Sequence, residues 1–94
     1  MEIVWRRAAL NDLQAIREFI AEDNPDAAGR IVTAIHSAAE RLADHSRLGR
    51  TGRVAGTREL VIPRTPYIVA YRIVADQIRV LAVIHASRRW PQRL

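Results

Sequence analysis

The chain has 94 residues, a net charge of +5 and no cysteine. That length suits one domain with one core, and the missing cysteines exclude a disulfide framework, a thiolate metal site and a cysteine nucleophile. No residue run is long and apolar enough to span a membrane, and no apolar stretch follows Met1 as a secretory signal would require, so the cytoplasm is the expected location.

Glu2 to Trp5 is short and β-leaning. From Arg6 to Glu22, Leu10, Leu13, Ile16, Phe19 and Ile20 recur at steps of three and four, which predicts a helix. Asp23-Asn24-Pro25 breaks it and restarts the next, with Asn24 as N-cap, Pro25 as first helical residue and Asp26 in the first turn. The second helix extends from Pro25 to about Asp44, carrying Ala28, Ile31, Val32, Ile35, Ala38, Ala39 and Leu42 on one face. His45 to Gly56, rich in glycine and arginine, reads as a loop.

Strands are expected at 57–63, 67–74 and 78–85, with a tight turn at Asp76-Gln77. The last two are apolar on both faces and belong in the middle of the sheet. Pro63 and Pro66 push the strand from Arg58 towards an edge. The expected fold is α+β, in the order β-α-α-β-β-β, with a helical hairpin on one face of an antiparallel sheet. Ile16, Ile20, Ile31, Ile35, Leu42, Val69, Tyr71, Val80 and Ala82 are the expected core.

Charge is unevenly distributed. Residues 1–46 hold 5 Arg and 8 acids, a balance of −3; residues 47–94 hold 10 Arg and 2 acids, a balance of +8. Such a half-chain suits an acidic partner, either nucleic acid or an acidic protein segment. All 15 basic residues are arginine, a side chain suited to bidentate recognition of phosphate or carboxylate.

His36, His45 and His85 have no metal-ligand spacing and no accompanying carboxylate cluster, so neither a metal nor a cofactor is expected. The Gly49-Arg50-Thr51-Gly52-Arg53 run lacks the pattern of a phosphate loop. His36 and His45 read as helix-flank and helix-end residues. His85 ends a strand just before Arg88 and Arg89, where it could act as general acid or base on a phosphodiester with Arg88 stabilising the developing charge. Arg53, Arg58, Arg72, Arg88, Arg89 and Trp90 are the candidate target-binding residues. Arg58 and Arg72 would form a basic surface on a sheet face left open by the helices. Trp90 would stack on a base or anchor the tail.

Gly52-Arg53-Val54, Gly56-Thr57-Arg58-Glu59-Leu60, Pro66-Tyr67-Ile68-Val69-Ala70-Tyr71-Arg72-Ile73 and Ile78-Arg79-Val80-Leu81-Ala82-Val83-Ile84-His85 follow the helical hairpin. Together with it they resemble the RelE/ParE superfamily of type II toxins over nearly the whole chain. The resemblance implies a growth-inhibiting toxin, of the kind linked to plasmid stabilisation, neutralised by a small acidic antitoxin encoded beside it. RelE-like members cut mRNA on the ribosome, and ParE-like members poison DNA gyrase. Glu59, Val61 and Ile68 stand where RelE-like nucleases carry basic residues, and only Arg88 matches that set. The chain therefore resembles ParE-like members more closely. An mRNA endoribonuclease using His85 and Arg88 is the alternative, and a plain nucleic-acid-binding module is a third reading. Against the endoribonuclease, Glu59 would repel the scissile phosphate near His85.

Overall fold

The computed structural model describes residues 1–94. Strand β1 (Glu2–Trp5) leads into helices α1 (Arg7–Ala21) and α2 (Pro25–Glu40), the latter extended by a 3-10 turn at Arg41–Ala43. Strands β2 (Arg50–Thr51), β3 (Arg58–Val61), β4 (Tyr67–Val74) and β5 (Gln77–His85) follow. The expected Asn24 cap forms: its Oδ1 accepts the Ala27 amide at 3.1 Å, with Pro25 in the first turn.

The sheet order is β1-β5-β4-β3-β2. The two apolar strands β4 and β5 lie inside it, as their composition requires. Two features differ from expectation. The segment read as a loop contributes the two-residue strand β2, paired with Arg58 and Glu59. The sheet is mixed: β1 runs parallel to β5, with Glu2 opposite Gln77 and Trp5 opposite Val80. Antiparallel neighbours are favoured when strands are joined by tight turns, but both helices intervene between β1 and the rest, which frees its direction.

Val69, Tyr71, Ile78 and Val80 point from the sheet towards the hairpin, where Ile35 and Leu42 are also fully buried. Ile16, Ile20 and Ile31 pack partly buried against this core. Ala82 is buried too, but on the other face of the sheet, because a register shift intervenes in β5. Ala70 is opposite Ala82 while Tyr71 is opposite Val80, so Leu81 is an extra residue. Such a bulge inverts the alternation of every residue after it. Val83 and His85 consequently share the helix-side face with Ile78 and Val80, opposite Val69 and Tyr67.

The second face of the sheet is not open. Ile68 and Ala70 point away from the core-facing Tyr71, yet both are buried. The turn around Val54 and Thr57, itself buried, and the C-terminal segment lie on that side.

Candidate functional site

His85 sits at the end of β5, aimed by the bulge towards α1. Its ring meets Tyr67 edge-on, with centroids 5.5 Å apart. A cavity of about 500 Å³ opens there, with Asp12, Ile16 and Phe19 of α1 on one wall and His85, Arg88 and Arg89 on the other. Phe19 is 61% exposed, large for an aromatic beside a cavity. Neither Arg88 nor Arg89 has an ion-pair partner. This site combines an apolar wall with a free basic rim.

Asp12, on α1, takes over where β1 ends. Beyond Val80 that strand no longer covers β5, and the Asp12 carboxylate accepts the Val83 amide at 2.9 Å. Burial pushes the Asp12 carboxyl above its ordinary value, and the hydrogen bond from Val83 offsets only part of this.

The His85 ring is committed locally. Its Nδ1 accepts the Ser87 amide at 3.1 Å and lies 2.8 Å from the Ser87 hydroxyl. A backbone N–H can donate only to an unprotonated ring nitrogen, so this bonding assigns the ring proton to Nε2. In that tautomer neither nitrogen offers a free lone pair to a substrate hydroxyl.

The other candidates disperse. Arg58 lies opposite Tyr71 and therefore on the helix-side face, whereas Arg72, the residue after Tyr71, lies on the opposite one. The two do not form the shared basic surface expected of them. Arg58 is internal to the fold: its Nε donates to the Gly49 carbonyl at 2.9 Å and its Nη2 to that of Arg47 at 3.3 Å. Arg72 is partly buried, with an Nε that has no partner. Only Arg88 and Arg89 join His85.

Glu59 also departs from expectation. It is opposite Ala70, on the face away from His85, and is 3% exposed. Arg50 Nη2 donates to its Oε1 at 3.0 Å, and the Arg53 amide and Nε donate to Oε2 at 2.7 and 3.3 Å. Burial alone would raise its pKa; the Arg53 amide, the Arg50 and Arg53 side chains and the Arg53 charge together outweigh that and lower it. A carboxylate paired on the far face exerts no repulsion on a phosphate at His85. The Arg53 guanidinium also lies 3.6 Å from the centroid of Trp90. Trp90 is thus an anchor that fixes the tail to the turn, with one ring face already covered.

His36 stacks on Trp5 at 5.8 Å and pairs with Glu40 at 3.6 Å, a flank role as read from the sequence. No three His, Cys, Asp or Glu side chains gather where a metal could be held. The Leu81 bulge that aims His85, and the roles of Asp12 and Ser87, were missed by sequence reasoning. The bulge and the Asp12 contact depend on pairing between distant segments, whereas Ser87 reaches His85 from two residues along the chain.

The α+β hairpin-on-sheet fold has counterparts among known proteins. Residues 3–90 match the family described as the ParE toxin of the type II toxin-antitoxin system parDE. The chain belongs to that family. It is 46% identical to Y4kP of Sinorhizobium fredii over 98% of this chain and 95% of that protein. It is 36% identical to Toxin RelE2 of Caulobacter vibrioides, over 93% and 97%. It also resembles a chain of the chromosomal ParDE TA system from P. aeruginosa, with a TM-score of 0.83 and 27% identity over 93% of this chain and 97% of that one. No helix is long and apolar enough to cross a membrane.

Proposed function

We propose that this ParE-family toxin is neutralised by an acidic antitoxin and poisons DNA gyrase without catalysing a reaction of its own, using the cavity rimmed by Arg88 and Arg89 as its contact. The observation that carries the reading is the state of His85. Cleavage of RNA needs a base for the 2′-hydroxyl and cations gathered at one phosphate. Here Nδ1 is taken by the Ser87 amide, and Arg58 and Arg72 lie on opposite faces of the sheet. What remains is a free basic rim beside an apolar wall, a combination suited to binding a protein surface.

The mRNA-cleaving alternative draws support from the likeness to Toxin RelE2. One pair of assays separates the two. Purified chain added to gyrase supercoiling reactions is expected to inhibit them, and ribosomes programmed with mRNA are expected to stay uncut. His85→Ala should retain most of the gyrase inhibition. Codon-specific mRNA cuts that vanish in His85→Ala, with gyrase undisturbed, would establish the nuclease instead.

A further inference from the structure

We infer that Arg72 of β4 and Arg79 of β5 form a patch that binds the phosphate backbone of duplex DNA; its role beside gyrase rests on the gyrase reading above. The two residues are register partners on adjacent antiparallel strands. Arg72 follows Tyr71, which faces the helices, so both arginines lie on the opposite face of the sheet. Directly opposed side chains have Cβ atoms about 5 Å apart, and like charges placed so destabilise a sheet. An anion bound between them removes that repulsion.

Nothing within the fold supplies that anion. Neither arginine has an ion-pair partner. The Arg72 Nε is buried without a hydrogen-bond partner. Its guanidinium carbon lies beside Gly56, where a Cβ would be 3.9 Å away. Arg79 is oriented by Gln77, whose Oε1 accepts its Nε at 2.8 Å, and its Nη groups are left for an outside acceptor. Glu2, opposite Gln77, shares this face, and its Oε1 accepts the Gln77 Nε2 at 3.1 Å. That carboxylate orients Gln77 and neutralises neither arginine.

The turn and tail that bury Ile68 and Ala70 leave this end of the face uncovered: Arg79 and its β1 partner Val4 are exposed. A planar guanidinium fork matches phosphate bidentately. An exposed sheet surface carrying paired arginines suits a backbone held by charge, without base-specific contacts, so the patch takes duplex of any sequence. The excess of +8 over residues 47–94 favours the same polyanion. His85 and its cavity face the helices. One chain therefore offers gyrase one side of the sheet and DNA the other.

The test is the fluorescence anisotropy of a labelled duplex of arbitrary sequence, titrated with the full chain at several salt concentrations. Each phosphate contact contributes about 0.9 to the log–log salt slope, so Arg79→Gln and Arg72→Gln should each lower it by about one and weaken low-salt binding about threefold or more. Arg79→Lys should keep most of the affinity. Thermal melts check folding, and the exposed Arg79 carries the test if Arg72→Gln unfolds. Poly-glutamate and inorganic phosphate, at matched ionic strength, are expected to leave the duplex bound; displacement by either would assign the patch to an acidic protein segment or a free anion and overturn the inference. No duplex binding, or a slope unchanged in Arg79→Gln, overturns the inference and leaves the gyrase reading standing. A chain that binds duplex through Arg79 but leaves supercoiling uninhibited supports the patch and overturns the gyrase reading.

Discussion

The surroundings of Glu59 and of His85 are both rich in arginine, and they use it in opposite ways. Around Glu59, Arg50 and Arg53 converge on one buried carboxylate, and Arg53 also covers Trp90. Around His85, Arg88 and Arg89 have no carboxylate partner, although Asp12 lines the same cavity. The first cluster closes the turn and tail over the second face of the sheet. The second leaves charge for an outside partner. Positive charge in a chain is thus available for binding only where no internal acceptor has consumed it, and an excess counted along the sequence overstates the binding surface.

The largest expected effect lies at Glu59. Glu59→Ala removes the acceptor of the Arg53 amide and leaves two guanidinium groups unpaired, a loss of about 2 kcal/mol in stability by denaturant unfolding. Because the folded-state pKa of Glu59 is lowered, its contribution is present above the ordinary glutamate range and is lost as pH falls through the folded value. The gap between wild type and Glu59→Gln should therefore close in acid; a gap that widened there would break the account of this cluster.

A smaller effect is expected at Asp12, and its sign depends on the replacement. Asp12→Ala leaves the Val83 amide without its acceptor and should cost about 1 kcal/mol. Asp12→Asn keeps an acceptor and removes the buried charge. Since burial raises this carboxyl above its ordinary value of 3.8, the contribution of Asp12 is present below that pH and lost as pH rises through the folded value. Asp12→Asn should thus melt above wild type at neutral pH, with the advantage shrinking in acid. An Asn variant less stable than wild type at neutral pH would show that the ionised carboxylate is favoured there.

The smallest expected change in stability sharpens the comparison most. Arg88→Ala combined with Arg89→Ala should shift unfolding by no more than about 0.5 kcal/mol, as for exposed residues without partners. The same double variant should lose much of the gyrase inhibition. If it instead melted as low as Glu59→Ala, the arginines beside His85 would be structural and the contrast between the two regions would fail.

Much of the fold was legible because local signals carried it. The spacing of Leu13, Ile16 and Ile20, and the Asn24-Pro25 restart, marked the two helices without reference to any distant residue. Residues 67–74 and 78–85 stood out as interior strands because they are apolar on both faces, and the observed β5 begins one residue earlier, at Gln77. The candidate site was legible only in part. His85 and Arg88 do meet, since they are neighbours in the chain. Arg58 and Arg72 were misjudged because the face of a strand residue depends on its register, not on its proximity to another arginine.

The sequence by itself therefore determined the elements, their order and the excess of arginine in the second half, all properties of short windows or of simple counting. Tertiary structure decided which arginines remain free. The Leu81 bulge inverts the facing of His85, and the parallel pairing of β1 ends where Asp12 must take over. Each of these joins segments far apart in the chain, and a one-residue change in strand register reverses which face a side chain occupies. Local pattern carries no information about such pairings, so the site is a product of the fold.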